Sequence, residues 1–157
     1  NPLSNKVKIQ YKVLKDFLIK FNNNNHLILK MDLEGDEVNV LKGSIKYLCK
    51  VKNISIILEL HPLKYKKKEM YKIFKEFFKN GYKVKFVESA FNRSSCEFEK
   101  NGLIPFKVAG ARKLFNNVDK NFILKNALTP NFGLKDFNPG FSFKIVRSIM
   151  IEKLNEK

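Results

Sequence analysis

The chain has 157 residues, of which 44% are hydrophobic and 15 are phenylalanine, so it can bury a substantial core. Its formal net charge of +16 would ordinarily favour an anionic partner such as nucleic acid or a membrane surface. No run of 18 apolar residues occurs and the first residues lack an apolar signal core, so we expect neither a transmembrane helix nor a secretory leader. Cys49 and Cys96 lack metal-binding spacing, and we interpret them as reduced packing residues of a cytoplasmic protein.

The positive charge comes almost wholly from lysine, because arginine occurs only at Arg93, Arg112 and Arg147. Phosphate-binding proteins favour arginine for its bidentate guanidinium group. We therefore rank nucleic-acid binding below the other functions considered for this chain. The lysine-rich residues 64–68 are interpreted as a solvated loop and helix start, with attraction of an acidic substrate as the alternative.

The first predicted strand ends in an unusually acidic turn. Residues 1–25, including a short helix capped by Asp16, are predicted to lead into a central strand. Residues 26–31 form a mostly apolar run, typical of a strand that is covered on both faces. Four of the chain's 15 acidic residues then fall within positions 32–37. Since ligands of open α/β sheets bind outside the carboxyl ends of the strands, this turn is a candidate binding site.

A helix and a second strand follow the acidic turn. Gly35 suits a tight turn, and Asp36 and Glu37 suit the start of a helix, which the spacing of apolar residues continues to residue 48. Residues 54–58 form another apolar strand, which ends in Glu59, Leu60, His61 and Pro62. A strand–helix–strand unit of this length is a parallel crossover, so both strands end at the same edge of the sheet. The spacing therefore predicts that four side chains converge there: Asp32, Glu34, Glu59 and His61.

The remainder of the chain completes an α/β pattern in a single domain, 1–157, with a strand–helix–strand core over 26–125. The clearest helix is predicted at 65–80, where apolar residues form a stripe. Strands are predicted at 82–88, 106–108 and 121–125, and 89–105 is predicted to be loop. Residues 126–157 are predicted to form a loop and a terminal amphipathic helix over 143–154.

Two motifs resemble the FkbM family of S-adenosylmethionine-dependent methyltransferases over about residues 10–90. The motifs are Lys30-x-Asp32-x-Glu34-Gly35-x-Glu37-x-x-x-Leu41-x-Gly43 and Leu58-Glu59-x-His61-Pro62. The resemblance implies a Rossmann-like class I methyltransferase sheet, with the two motifs at the ends of its fourth and fifth strands. It implies S-adenosylmethionine as the cofactor.

The resemblance also implies a glycine-rich first strand–turn unit, and none of the seven glycines here forms a Gly-x-Gly pair. We therefore expect this chain to be the C-terminal half of a methyltransferase domain, as a fragment or as part of a longer polypeptide. In that family the fourth strand lies against the first. Residues 27–31 would then form an exposed apolar edge, which favours self-association.

The activity that the resemblance implies is O-methylation of a hydroxyl group on a sugar, lipid or other small metabolite, and thus a small-molecule or glycan acceptor. The protein would position the acceptor and help to remove its proton, for which histidine is the common general base near neutral pH. The candidate catalytic residues are Asp32, Glu59 and His61. The candidate cofactor-binding residues are Asp32 and Glu34, and the candidate substrate-binding residues are Lys30, Glu34, Glu59 and His61.

Other interpretations of the same residues stay open. Asp32 could cap the turn, Glu37 could complement the helix N-terminus, and His61 could bond only the turn before Pro62. The four converging side chains could hold a divalent cation, but their spacing does not require one and we assign no metal. The whole chain could instead be a degenerate, non-catalytic binding module or a basic nucleic-acid-binding protein.

Overall fold

A computed structural model of the chain describes residues 12–21, 24–90, 92–129 and 145–154. These residues form a mixed α/β fold with one six-stranded sheet and five helices. The helices are α1 (Leu14–Lys20), α2 (Glu37–Leu48), α3 (Lys67–Lys79), α4 (Asn92–Glu99) and α5 (Lys120–Phe122), which continues as a π-helical turn (Ile123–Ala127). The strands are β1 (Leu27–Met31), β2 (Ile54–Glu59), β3 (Lys83–Ser89), β4 (Lys107–Ala109), β5 (Arg112–Phe115) and β6 (Val146–Lys153).

The strand order of the sheet is β1-β2-β6-β3-β5-β4. Strands β1 and β2 are parallel and are joined through α2, as the crossover pattern predicted. Strand β6 runs between β2 and β3 and is antiparallel to both. The parallel pair places the carboxyl ends of β1 and β2 side by side at one edge, where the acidic turn begins.

The core lies on one face of the sheet. Ile54, Ile56 and Leu58, which alternate along β2, have no solvent exposure, whereas on the other face Ile57 and Glu59 are partly exposed and only Ser55 is buried. The three fully buried apolar side chains belong to the same buried cluster as Leu41 of α2 and Phe74 of α3. Helices α2 and α3 therefore cover this face and fix the positions at which β1 and β2 end.

The prediction that β1 is covered on both faces is wrong for the described residues. Leu27 and Met31 are buried, whereas Ile28 is 67% exposed and Lys30 is exposed. Within the described part of the sheet β1 pairs only with β2, so it is an edge strand with an apolar side chain on its open face.

The predicted terminal helix at residues 143–154 is wrong, because Val146–Lys153 is strand β6. Val146 and Ile149 are three residues apart, as on a helix face, but Ile149 and Ile151 are two apart and both are buried. Insertion between β2 and β3 pairs the backbone of β6 on both sides, and this pairing decides the conformation. Of the loop predicted before it, over 126–142, residues 130–142 lie outside the described residues, whereas 126 and 127 belong to the π-helical turn and not to a loop.

Two further predictions of secondary structure are wrong. Residues 121–125, predicted as a strand, lie in α5 and its π-helical continuation, whose start is capped by an Asp119 carboxylate that accepts a hydrogen bond from the Asn121 amide. Residues 89–105, predicted as loop, contain α4.

The other predicted elements agree with the structure to within a few residues. Helix α1 begins at Leu14, so that Asp16 lies in its first turn and not at its cap. Of the predicted lead-in over 1–25, residues 1–11, 22 and 23 lie outside the described residues. Among the described residues, neither Cys49 nor Cys96 forms a disulfide bond. None of the helices in the described ranges is long and apolar enough to cross a membrane.

We expect the chain to self-associate through β1, and Ile28→Lys to reduce this association, because a charge on an edge strand opposes strand-to-strand pairing. Ile104→Lys is the matched control, since Ile104 is an 82% exposed apolar residue outside the sheet. Sedimentation velocity over a range of concentrations measures the effect. An equal reduction in both variants would contradict association through β1.

Candidate functional site

The structure brings together the four side chains that the crossover pattern predicted to converge. Asp32 and Glu34 follow β1, while Glu59 ends β2 and His61 lies two residues beyond it. The Nε2 atom of His61 is 3.9 Å from Asp32 Oδ1, 3.7 Å from Glu34 Oε2 and 3.9 Å from Glu59 Oε1. These distances exceed those of hydrogen bonds, so the three carboxylates face the imidazole across a small gap.

Glu37 is the central residue that the sequence analysis did not include among the site residues. Its carboxylate is fully buried and accepts a hydrogen bond from His61 Nδ1 at 3.0 Å. It also accepts hydrogen bonds from the backbone amides of Leu33 at 2.8 Å and Gly35 at 3.0 Å. Glu37 thus fixes the imidazole and the acidic turn at once. We call Asp32, Glu34, Glu37, Glu59 and His61 the His61 site.

A signal for the buried position of Glu37 was present in the sequence. The inward face of α2 consists of Glu37, Val38, Leu41, Ser44 and Leu48, which recur at helical spacing. An acid in register with the apolar stripe of its helix must find a buried partner, because an unpaired charge in the core is costly. This spacing distinguishes Glu37 from a charge that only complements the helix N-terminus.

The imidazole of His61 is held in one orientation. Its side chain is only 7% exposed. Because the Glu37 carboxylate accepts at Nδ1, that nitrogen carries a proton, and the lone pair of a neutral imidazole is then on Nε2. The His61 carbonyl also accepts a hydrogen bond from the Lys64 amide at 2.8 Å, which closes the turn after β2. His61 therefore holds its turn through the backbone while its side chain faces the carboxylates.

The acidic turn has an unusual backbone. Glu34 has a φ of 54° and Gly35 a φ of 111°, both in the region that disfavours L side chains. A Cβ atom on Gly35 would lie 2.5 Å from Lys64 Cβ, so only glycine allows the two turns to approach. Lys64 Nζ also donates to Glu34 Oε2 at 2.7 Å. Close packing and an ion pair thus hold the two turns together.

Glu59 is anchored from the neighbouring strand. Its Oε2 lies 3.4 Å from Nη2 of Arg147 in β6, while its Oε1 faces His61. Arg147 Nε is 4.0 Å from Glu88 Oε2, which also accepts a hydrogen bond from Ser148 at 2.6 Å. A line of paired charges therefore runs from the His61 site across β6 to β3. Arg147 is not among the predicted site residues, because residues 143–154 are predicted from the sequence to form a helix.

Lys30 stands apart from the other predicted site residues. Its side chain is exposed on β1, and among the described residues no ion pair joins it to the carboxylates of the His61 site. The structure thus groups the carboxylates with His61 and leaves Lys30 on the open strand.

A cleft of about 320 Å³ adjoins the His61 site, with Glu34, Gly35, Lys64 and Tyr65 among its lining residues. The Tyr65 hydroxyl is buried and has no hydrogen-bond partner among the described residues. Burial, with a further contribution from the negative charge of Glu37, raises the pKa of Tyr65 well above its usual value. The phenol therefore remains a neutral donor at physiological pH.

A match to a known protein family includes every residue of the His61 site. Residues 3–84, more than half of the chain, match the family described as the methyltransferase FkbM domain. Both motifs identified in the sequence lie within this range. No curated protein and no solved structure gives a significant match.

The role of Glu37 is testable by a nearly isosteric change. We expect Glu37→Gln to lower the free energy of unfolding by about 2–4 kcal/mol, because an amide nitrogen would face buried N–H donors in place of a carboxylate oxygen. Asp36→Asn is the matched control, since the Asp36 side chain is exposed and bonds only the Asn39 side chain. Urea denaturation measures both changes. A Glu37→Gln protein as stable as the wild type would show that this carboxylate does not hold the turn.

Two glycines of the first motif have opposite structural requirements. Gly43 lies inside α2, where an added Cβ meets no atom within 4 Å, so Gly43→Ala should stabilise the protein by about 0.5–1 kcal/mol. Gly35→Ala should destabilise it by about 1–3 kcal/mol, because of the positive φ and the contact with Lys64. Thermal unfolding compares the two variants, and a shift in the same direction for both would contradict the backbone geometry of the acidic turn.

Proposed function

Because this chain belongs to the FkbM family of methyltransferase domains, we propose that it takes part in transferring a methyl group from S-adenosylmethionine to a hydroxyl group. The acceptor that we propose is a sugar, a lipid or another small metabolite. The family match supports the methyltransferase assignment. The observation that supports a hydroxyl acceptor is the buried imidazole of His61, whose Nε2 faces three carboxylates where an acceptor could be oriented and deprotonated.

We propose that the fold is the C-terminal half of a Rossmann-like class I methyltransferase sheet. The parallel β1–α2–β2 unit supports this, because the candidate site lies at the carboxyl ends of its strands. Within the described residues no strand pairs with the outer edge of β1, and this supports the proposal as well, since the family places a further strand against this one.

The residues present fit the positively charged part of the cofactor. S-adenosylmethionine carries a sulfonium and an ammonium group, and carboxylates at the end of a strand attract both. The side chains of Asp32 and Glu34 are 43% and 72% exposed, so a bound molecule can reach them. We propose that these two residues contact the cofactor. The sequence contains no Gly-x-Gly, so a glycine-rich turn for the cofactor would come from a separate segment of the full-length protein.

Bound S-adenosylmethionine supplies an activated methyl group, which leaves to the protein the orientation of the acceptor and the removal of its proton. Glu37 fixes the His61 ring, and Arg147 fixes Glu59 with one oxygen turned towards that ring. We propose that Asp32, Glu59 and His61 take up the proton as a group. Both Glu59, at 15% exposure, and His61 are shielded from bulk water, which strengthens their electrostatic interaction with a bound hydroxyl.

We propose that the acceptor is bound by Lys30, Glu34, Glu59 and His61. Carboxylates and imidazole are suited to the hydroxyl groups of a sugar, because they accept several hydrogen bonds in fixed directions. Lys30 is exposed on β1, so it would contact only a part of the acceptor that extends beyond the His61 site.

The test combines binding and activity in this chain and in the full-length protein that contains it. We expect the full-length protein to bind S-adenosylhomocysteine in a calorimetric titration and to transfer a radiolabelled methyl group to a hydroxylated acceptor. Asp32→Asn and His61→Gln should each lower kcat by about 10²-fold or more, because they remove groups that handle the proton.

Asp36→Asn is the control variant, because Asp36 lies in the same acidic turn but outside the His61 site. Its kcat should equal that of the wild type. Full activity of both Asp32→Asn and His61→Gln would refute the proposed catalytic group. Absence of cofactor binding in the full-length protein would refute the methyltransferase activity and favour a non-catalytic binding module.

A further inference from the structure

We propose that Asp32, Glu34 and the Nε2 atom of His61 form a binding site for a divalent transition-metal ion. One ligand atom from each of these three residues lies within 4.8 Å of the others. The binding proposal depends on geometry and charge alone, and only the role of the ion in catalysis rests on the proposed function.

The spacing of the ligand atoms suits a shared ion better than direct contact. The three carboxylate oxygens lie 3.7–3.9 Å from Nε2, too far for hydrogen bonds. Metal–ligand bonds of about 2.0–2.2 Å place neighbouring ligand atoms about 3.0–3.5 Å apart. For coordination, the oxygens of Asp32 and Glu34 would each have to approach Nε2 by about 0.2–0.9 Å.

His61 provides an independent indication that a ligand binds here. The side chain is only 7% exposed, its Nδ1 is bonded to Glu37, and among the described residues its Nε2 makes no hydrogen bond. The polar atoms of a side chain that is more than nine-tenths buried are normally hydrogen-bonded, and here the remaining ring nitrogen, Nε2, faces three carboxylates instead. A carboxylate that accepts from the far nitrogen of an imidazole is also the arrangement that orients histidine ligands in metal sites.

The four carboxylates of the His61 site carry more negative charge than the lysine and arginine beside them offset. Four carboxylates lie within 4 Å of the imidazole, from Asp32, Glu34, Glu37 and Glu59. Lys64 pairs with Glu34, and Arg147 pairs with Glu59. Asp32 and Glu37 contact no lysine or arginine in the part of the chain that the structure describes. A divalent cation would balance the two remaining negative charges.

The chemistry of the ligands narrows the choice of ion. Mg²⁺ and Ca²⁺ prefer sites made only of oxygen, whereas a set of one imidazole and several carboxylates suits Mn²⁺, Fe²⁺ or Zn²⁺. Such an ion would lie where we propose that the acceptor hydroxyl binds, and it would make that hydroxyl more acidic. His61 would then serve as a ligand, and the carboxylate of Glu59 would take up the proton.

Lys64 is expected to compete with the ion. Its Nζ lies 2.7 Å from Glu34 Oε2, the same oxygen that faces His61 Nε2 at 3.7 Å. Removing the ammonium group should therefore make Glu34 a better ligand and tighten metal binding. Lys64→Gln should therefore raise the metal affinity, whereas removing a ligand should lower it.

The test is a titration with Mn²⁺, in which electron paramagnetic resonance measures the free ion. We expect one ion per chain in the wild type, at least about 10-fold weaker binding in Asp32→Asn and several-fold tighter binding in Lys64→Gln. Asp36→Asn, which changes a neighbouring exposed carboxylate, should bind like the wild type. The ion should also raise the melting temperature of the wild type and Asp36→Asn, but not that of Asp32→Asn.

Asp32→Asn is expected to fold, because the side chain is 43% exposed and its nearest charged partner is 3.9 Å away. Equal Mn²⁺ affinity in all four proteins would show adventitious binding to exposed acids and would overturn the proposed metal site. Lack of Mn²⁺ binding in a full-length protein that transfers methyl groups would overturn the metal site alone. Specific Mn²⁺ binding without methyl transfer would support the metal site and overturn the proposed function.

Discussion

The bond between the buried Glu37 carboxylate and His61 is the interaction on which the candidate site depends. One side chain accepts from the imidazole and from two amides of the acidic turn, so it joins the start of α2 to the ends of β1 and β2. A carboxylate in a dry core is unfavourable unless its acceptor positions are occupied. The arrangement therefore forms as a unit. Loss of one donor would leave the buried Glu37 charge incompletely paired. This energetic cost keeps the turn in one conformation, and its acidic side chains therefore stay in fixed positions.

The convergence of Asp32, Glu34, Glu59 and His61 could be predicted from the sequence because it follows from local rules. Two apolar runs separated by one helix form a parallel crossover, and a parallel crossover brings strand ends together. The contacts of Glu37 and Arg147 could not be predicted in the same way. To predict the contacts of Glu37, one must know which face of α2 is buried. To predict those of Arg147, one must know that β6 pairs with β2, although the two strands are distant in sequence. Local propensity carries little information about such pairing.

Charge is distributed very unevenly in this protein. The chain carries a formal net charge of +16, yet the carboxyl edge of β1 and β2 is a concentrated acidic site. Only Lys64 and Arg147 bring positive charge directly onto the carboxylates of the His61 site in the described structure. The surrounding lysines would draw an anionic molecule towards the protein, while the His61 site itself favours cations and hydroxyl groups.

The position of β6 has a consequence for the order in which the sheet can form. Strand β6 separates β2 from β3, and its register pairs residues as far apart in sequence as Ile54 and Lys153. During synthesis, the β1–α2–β2 unit and the β3–β5–β4 unit emerge from the ribosome well before the segment that joins them. Until that segment inserts, β2 and β3 each present an unpaired edge, and contacts between distant residues form slowly. Assembly of the sheet is therefore a late event in folding. The partly synthesised chain exposes the unpaired edges of β2 and β3, and it is the state in which binding to a chaperone would best prevent aggregation.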